Sequence, residues 1–355
     1  MSSRKIVRIK DIAEKAGTSK GTVDRVLHNR GRVAEEVRER VMRIVKELNY
    51  EPNLIARSLK TQKIVNFAAL VPSANYDTYW ESPKLGLEKA ERELRQFGVQ
   101  VNQYVFNPYD VNSFVEIAEK VTSDSPDGIL IAPIFHKEVL PFFEKWEKMK
   151  IPFVLFNTQI DQVKPLCYIG QDSFRSGYLA AKLLDYGLQE NSEILITHIF
   201  EDIPNSAHLR AKEEGFNAYF QKIKSAQGHK IVRAEITDLE EKNLFQHMDS
   251  LIAQNPNLQG IYVTNSKAYE IANYLDSRNI KHLKLVGYDL LVKNLNYLDS
   301  GLIHFLINQN PYGQGYWGIQ QLATAVVLKK SIQSIKYLPL DIITKENLEY
   351  YLSPE

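Results

Sequence analysis

The spacing of hydrophobic and polar positions predicts alternating strands and helices over most of the chain. From residue 64 onward, short apolar runs alternate with longer stretches in which apolar residues recur at helical spacing, such as 83–97 and 111–122. The predicted strands are residues 64–70, 99–106, 128–132, 153–156, 194–199, 260–263, 284–286 and 303–307. Strict alternation of this kind predicts parallel sheets with right-handed crossovers, here divided into two doubly wound lobes.

The first sixty residues follow a different pattern, which predicts three short helices around a small core of their own. The apolar residues at helical spacing are Ile9, Ile12, Ala13, Ala16, Val23, Val26, Leu27, Val37, Val41, Ile44, Val45 and Leu48. Gly17 permits a tight turn, and Thr18 or Ser19 can cap the second helix. We therefore expect a small all-α helix-turn-helix domain ahead of the α/β region. Any three-helix bundle shows similar periodicity, which leaves a purely structural interpretation open.

Charge is distributed unevenly along the chain. The formal net charge is +1, yet residues 1–60 hold 15 lysines and arginines against 8 aspartates and glutamates, and the remainder holds 29 against 35. A basic head on a mildly acidic body is typical of a polyanion-binding module joined to a small-molecule domain. Cys167 is the single cysteine, which excludes an intrachain disulfide and a cysteine-based metal site. Without a secretory signal or a membrane-length apolar run, we expect a cytoplasmic protein.

Several short motifs in the head resemble the LacI/GalR family of bacterial transcription regulators. They are Ile9-Lys10-Asp11-Ile12-Ala13, Ala16-Gly17-Thr18-Ser19, Thr22-Val23, Arg25-Val26-Leu27, Val37-Arg38-Glu39-Arg40-Val41, Leu48-Asn49-Tyr50, Pro52-Asn53 and Ala56-Arg57-Ser58-Leu59. The resemblance implies that Lys20, Gly21 and Arg25 read base edges, where an arginine suits guanine. It also implies that Leu59 wedges into the minor groove, although Leu59 also fits a plain linker.

The resemblance extends to phosphate contacts, with some departures. The full set of expected DNA-binding residues is Ser19, Lys20, Gly21, Thr22, Arg25, His28, Asn53, Ala56 and Leu59. Among them, Ser19, Thr22 and Asn53 are expected near phosphates. Asp24 and His28 stand where the family usually has serine and asparagine, which leaves the phosphate contacts open. Ala34 replaces the usual serine cap of the third helix.

Polar and aromatic residues follow the ends of the predicted strands, where ligands bind in doubly wound folds. The expected ligand-binding residues are Asp77, Tyr79, Trp80, Asn107, Phe135, Asn157, Gln171, Asp172, Arg210, Asn265, Asp289 and Gln309. Amides, carboxylates and a guanidinium beside aromatic rings suit a polyol. Each residue also has a structural interpretation, because Asn and Asp often serve turns and caps, and aromatic residues often serve packing.

The α/β region is similar to ribose-type periplasmic sugar-binding proteins and to the regulatory core of the same regulators. Gly287-Tyr288-Asp289, Thr264-Asn265, Tyr79-Trp80 and the stretch 308–311 carry this likeness. It implies a periplasmic binding protein type I-like fold, with three crossovers between lobes near Gln171, Gln309 and Tyr337. Asn157-Thr158 departs from the Asp-Arg pair of many sugar binders, which argues against transferring ribose or galactose as the ligand.

The resemblance predicts a domain order. A helix-turn-helix domain spans residues 1–52 and a hinge helix with linker spans 53–62. The N-terminal lobe comprises 63–171 and 310–336, and the C-terminal lobe comprises 172–309 and 337–355.

The leading hypothesis is a homodimeric transcription regulator, expected to be a repressor of carbohydrate-related genes. Two heads would read a pseudo-palindromic operator in double-stranded DNA, and a sugar, polyol or sugar derivative would bind between the lobes as effector. The alternative is a solute-binding protein without a regulatory role. Catalysis is not expected, because the histidines are scattered and no catalytic motif is present. We expect no metal, no cofactor other than the effector, and no membrane partner.

Overall fold

The computed structural model describes residues 9–27, 30–48, 64–199, 207–223, 228–238 and 240–352. The chain divides into two compact units, Met1–Lys63 and Ile64–Glu355. The expected linker 53–62 and four expected DNA-binding residues, His28, Asn53, Ala56 and Leu59, lie outside the described residues. Among the helices that are described, none is long and apolar enough to cross a membrane.

The described part of the first unit contains three helices: α1 (Ile9–Lys15), α2 (Lys20–Leu27) and α3 (Glu35–Glu47). Their apolar faces meet in one small core, built from the residues whose helical spacing predicted it. Gly17 has a φ of 60°, in the left-handed region, and makes the turn between α1 and α2 possible. Ala34 precedes α3 without a side-chain cap. The predicted all-α head is therefore present.

The second unit contains two six-stranded sheets. The strands are β1 (Val65–Pro72), β2 (Val99–Phe106), β3 (Gly128–Ile131), β4 (Phe153–Phe156), β5 (Cys167–Gly170), β6 (Glu193–Ile199), β7 (Lys230–Ile236), β8 (Leu258–Val263), β9 (Lys284–Tyr288), β10 (Phe305–Asn308), β11 (Ile335–Tyr337) and β12 (Asp341–Ile343). The first sheet has the order β2-β1-β3-β4-β5-β11, and the second has β7-β6-β8-β9-β10-β12. The two lobes thus repeat one topology.

Helices cover both faces of each sheet. They are α4 (Glu81–Leu94), α5 (Val111–Asp124), α6 (His136–Lys148), α7 (Ser173–Asp185), α8 (Ala207–Lys222), α9 (Glu241–Gln254), α10 (Ala268–Ser277), α11 (Val292–Asp299), α12 (Pro311–Val326) and α13 (Glu349–Leu352). Alternate residues of β1 point to opposite faces, so Phe67 and Ala69 join one core while Ala68 and Leu70 join another. The second sheet is likewise flanked by two cores.

Among the described strands, every pair is parallel except one. β12 runs antiparallel to β10, which departs from the predicted purely parallel sheets. The departure has a simple cause, since β12 follows β11 after a connection too short for a crossover helix. The prediction of an all-α head followed by two doubly wound lobes is otherwise confirmed.

The chain passes between the two sheets three times. It leaves the first sheet after β5, returns after β10, and crosses again between β11 and β12. After the second crossing, α12 packs on the first lobe through Ile319 and Leu322. The segments that follow β5 and β10 therefore lie where the two lobes meet.

Candidate functional site

The N-terminus of α2 is exposed and is capped by the side chain of Ser19. Ser19 Oγ accepts a hydrogen bond from the backbone N–H of Thr22 at 3.0 Å and lies 2.9 Å from Thr22 Oγ1. Lys20, Gly21 and Arg25 are exposed, while the other face of α2 is buried in the head. Arg25 Nε donates to the Gly21 carbonyl at 3.1 Å, which orients the guanidinium along the helix. The base-reading role of these residues remains a prediction.

Two glutamines join the lobes where the chain crosses between them. Gln171 follows β5, Gln309 follows β10, and Gln171 Nε2 donates to Gln309 Oε1. Gln309 Nε2 in turn donates to Asp289 Oδ2 at 2.5 Å. All three residues were expected at the site from the sequence, and the structure brings them together in one buried network.

Asp289 is a buried carboxylate surrounded by donors. Its side chain accepts from Ser266 Oγ at 2.6 Å and from the backbone N–H of Gln309 at 3.2 Å. Burial raises the pKa of Asp289 above its usual value, although Ser266, the nearby Lys212 charge and Gln309 oppose that shift. The φ of Asp289 is 63°, in the left-handed region that a non-glycine residue rarely adopts. Residues held in such rare backbone conformations are frequent at ligand sites.

Lys212 belongs to the same network, although the sequence did not predict it at the site. Its side chain is buried, and Nζ donates to the Thr264 carbonyl at 2.9 Å and to Gln309 Oε1 at 3.3 Å. Nζ also lies 3.6 Å from the centre of the Tyr288 ring. Lys212 lies four residues after His208 on α8, so the two share a helix face, but only the structure shows that this face is turned toward the cleft.

Arg210, which was expected at the site, has an exposed side chain. It lies on α8 midway between His208 and Lys212, and this half-turn offset points it away from the face they share. The buried cation of this network is therefore Lys212, whereas the sequence had predicted Arg210 as the cationic ligand-binding residue.

The first lobe supplies a second polar chain that reaches across to α8. Asn157 Nδ2 donates to Tyr79 Oη at 2.7 Å, and Asn157 Oδ1 accepts from Thr158 Oγ1 at 3.2 Å. Thr158 Oγ1 lies 3.3 Å from His208 Nδ1 in the second lobe. Burial, followed by the charge of Asp289, raises the pKa of Tyr79 well above its usual value, so this hydroxyl stays protonated. Tyr79 and Asp289 thus influence each other across the cleft.

His208 is neutral near physiological pH. Desolvation, together with the positive charges of Lys212 and Arg210, lowers its pKa to about 3. The ring therefore has one donor and one acceptor nitrogen, and it adds no charge to the cleft.

An ion pair closes the two lobes at the rim. Asp77 Oδ2 of the first lobe lies 3.5 Å from Lys267 Nζ of the second, and both side chains are largely buried. Asp77 Oδ1 also accepts from the backbone N–H of Tyr79 at 3.0 Å, which caps the short 3₁₀ turn Thr78–Trp80. Asp77 therefore serves both local structure and the contact between lobes.

The remaining expected residues serve mainly local structure. Asn107 Oδ1 accepts from the backbone N–H of Tyr109, and Asp172 caps α7. Asn265 holds the segment after β8 against the Ile199 carbonyl at 2.7 Å.

Two of the expected aromatic residues pack within the first lobe. Trp80 lies edge-on to Phe156 in the core, and Phe135 packs against Phe106 and Phe114. The rings of Tyr79 and Trp80 meet edge-to-face, with their centroids 4.9 Å apart.

Comparison with known families identifies both units. Residues 8–53 match the model of "Bacterial regulatory proteins, lacI family" and residues 67–330 match the "Periplasmic binding protein domain" model. The sucrose operon repressor of Streptococcus mutans is 26% identical over 351 residues, covering 96% of this chain and 93% of the relative. The ribose operon repressor of Lactococcus lactis subsp. lactis is 27% identical over 350 residues, covering 96% and 97%.

Solved structures give the same assignment. A LacI transcriptional regulator from Bacteroides fragilis is 32% identical, with a TM-score of 0.73, and covers 81% of this chain and 100% of its own. A solute-binding protein from Agrobacterium vitis, bound to α-D-tagatopyranose, shares the fold at 23% identity and a TM-score of 0.71, covering 80% of this chain and 96% of its own. The Streptococcus mutans and Lactococcus lactis relatives are both named as operon repressors. Since the two family models together span most of its length, the chain belongs to the lacI family of bacterial regulatory proteins, as a DNA-binding repressor with a periplasmic-binding-protein-like sensor.

Proposed function

We propose that this repressor acts as a homodimer on a pseudo-palindromic operator and takes a sugar or polyol effector between its two lobes. The observation that carries the proposal is the buried network of Gln171, Gln309, Asp289 and Lys212 at the crossovers. A ligand that engages this network contacts both lobes at once and can change how they meet. Relatives named as sucrose and ribose operon repressors support a sugar as the chemical class.

Dimerisation follows from the size of one head. A single recognition helix reaches few base pairs, whereas two heads on adjacent half-sites give useful specificity. Residues 53–62 would connect the sensor to the head, with Leu59 as the minor-groove wedge. The alternative of a solute-binding protein is not favoured, because the head and the repressor relatives have no counterpart in that function.

Removal of the head tests whether the head binds the operator and the α/β region binds the effector. The full chain is used to select an operator from a random DNA pool, and a variant lacking residues 1–62 is compared with it by fluorescence anisotropy and thermal unfolding. We expect the truncated chain to lose operator binding and to keep effector-induced stabilisation. Operator affinity retained without the head would contradict the proposal.

Leu59→Ala should weaken specific binding more than non-specific binding, and an equal loss of both would argue against the wedge.

A further inference from the structure

Two buried carbonyl oxygens at the lobe junction have no hydrogen-bond partner among the residues that the structure describes. They are Gln171 Oε1 and Gln314 Oε1, and their residues are 3% and 1% exposed. Buried acceptors of this kind are nearly always satisfied in native proteins, since leaving one unpaired is costly. Their position beside Gln309 places them at the proposed effector site.

The chemistry of their neighbours fixes both amides in orientation. Gln309 Nε2 donates to the Asp289 carboxylate, so Gln309 Oε1 faces Gln171 and requires the Gln171 Nε2 donor. Gln314 Nε2 donates to the Gln309 backbone carbonyl at 3.0 Å, which can only accept. Rotating either amide by half a turn would set oxygen against oxygen. Both Oε1 atoms are therefore acceptors that need a donor from elsewhere.

The charged groups along the described part of the cleft are already matched. An amide bridges Lys212 to Asp289, and Lys267 pairs with Asp77 at 3.5 Å. His208 adds no positive charge near neutral pH, because its pKa is lowered to about 3. An anionic ligand would compete with Asp289 and Asp77 for these two cations, and its desolvation would not be offset.

We propose that the effector is an uncharged polyhydroxylated molecule, a neutral sugar or polyol whose hydroxyl groups donate to Gln171 Oε1 and Gln314 Oε1, and that phosphorylated and carboxylated sugars are rejected. This inference rests on the proposed function, because it takes the cleft as the effector site. A hydroxyl group supplies the donor that each amide oxygen lacks, whereas an ionised phosphate or carboxylate supplies only further acceptors.

Matched ligand pairs test the charge selection on the full chain. Thermal shift and calorimetry at constant ionic strength would compare glucose with glucose 6-phosphate and gluconate, ribose with ribose 5-phosphate, sucrose with sucrose 6-phosphate, and mannitol with mannitol 1-phosphate. We expect a neutral member to bind about 100-fold more tightly than its anionic counterpart. An anionic member that binds as tightly as its neutral partner would overturn this inference alone. A chain that no member stabilises would contradict the proposed sugar response itself, and this inference with it.

Variants of the two amides test the donor requirement. Gln314→Met and Gln171→Met each remove one acceptor, and we expect the affinity for the neutral ligand to fall about tenfold in each. Gln320→Met is the matched control, because Gln320 lies on the same helix and donates to Glu93 at 3.1 Å, away from the cleft. Thermal unfolding of each variant in the absence of ligand, compared with that of the unchanged chain, checks that the variant is folded. Unchanged affinity in both amide variants, or an equal loss in the control, would overturn the assignment.

Discussion

At the scale of single residues, the two lobes place equivalent side chains at the cleft. Asn157 follows β4 and Asp289 follows β9, the strands that occupy the same position in the two sheets, and both have left-handed φ values of 67° and 63°. Gln171 and Gln309 follow the equivalent strands β5 and β10. The site is therefore a repeated pair of strand ends facing each other, and its asymmetry comes from Lys212 and His208 on α8.

The left-handed backbone at Asp289 allows a clean test of its charge. Asparagine tolerates this conformation, so Asp289→Asn should keep the fold while removing the carboxylate that receives Gln309 and Ser266. We expect effector affinity to fall by about 100-fold, the loss of a charge-assisted hydrogen bond and its network. Calorimetry measures it, and Asn279→Asp, at another left-handed position outside the cleft, is the control. Full affinity in Asp289→Asn would show that the carboxylate does not contact the effector.

His208 should make stability depend on pH. Its pKa is about 3 in the folded chain against an ordinary 6.5, so between these values the unfolded chain binds more protons. Stability then rises with pH in this window, and it falls by up to about 2 kcal/mol on acidification from pH 7 to 5. His208→Asn keeps a polar atom near Thr158 and should flatten this part of the profile. Thermal unfolding from pH 5 to 7 measures it, and parallel profiles for the two proteins would contradict the assignment.

At the scale of elements, the sequence predicted most of the described strands, including the edge strand β2, and missed β5, a buried run of only four residues, together with the edge strands β7, β11 and β12. β3 and β4 are fully buried apolar runs and were predicted within one residue. β7 alternates buried and exposed residues unevenly, and β11 and β12 have three residues each, so no apolar run marks them.

The same limit applies to the cleft. Gln309 and Asp289 closely follow predicted strands, so their places were predictable from topology. Gln171 follows β5, which was not predicted, and its place at a crossover came from the family resemblance. Lys212 depends on the rotation of α8 about its axis, which strand order does not fix. A lysine is also rarely buried, which made an exposed interpretation the natural one.

Close helix pairs set that rotation, and glycines make them possible. A Cβ on Gly177 of α7 would lie 1.8 Å from the Lys212 carbonyl oxygen, and a Cβ on Gly215 of α8 would lie 1.9 Å from that of Phe174. Gly86 and Gly315 form the equivalent contact between α4 and α12 in the first lobe, at 2.0 and 2.1 Å. In each lobe, close backbone contact thus holds a helix that carries cleft residues against its neighbour: α8 against α7 in the second lobe, and α12 against α4 in the first.

Gly177→Ala should therefore disturb the site from a distance. The added methyl group pushes α8 away from α7, and we expect a loss of about 1–3 kcal/mol in unfolding free energy. Because Lys212 moves with its carbonyl, effector affinity should also fall. Gly187→Ala is the control, since its Cβ would meet only the flexible Lys284 side chain at 3.4 Å. A variant that loses stability while keeping full effector affinity would show that this packing does not position Lys212.

At the scale of the whole sensor, ligand response requires that the lobes favour closure only modestly on their own. Several of the described cross-lobe contacts are polar, namely the amide pair at the crossovers, the Thr158–His208 contact and the Asp77–Lys267 pair at the rim. Leu291 of the second lobe adds an apolar contact with the core of the first. Polar contacts of this kind contribute little net free energy compared with apolar packing, because water competes for the same groups. An effector that adds hydrogen bonds to both lobes can therefore shift the balance between open and closed forms.

The rim pair provides the test of that closure. Lys267→Met leaves Asp77 unpaired in the closed form, so we expect about tenfold weaker effector binding and a larger radius of gyration by small-angle scattering. Asp77→Asn keeps the cap on the Thr78–Trp80 turn and removes the same charge pair. Combined, the two changes should cost no more than one alone, because they delete one interaction. Lys145→Met is the control, since Lys145 pairs with Glu119 on the exposed surface of the first lobe. Additive losses in the double variant would show that the two residues act separately and that the pair does not hold the lobes together.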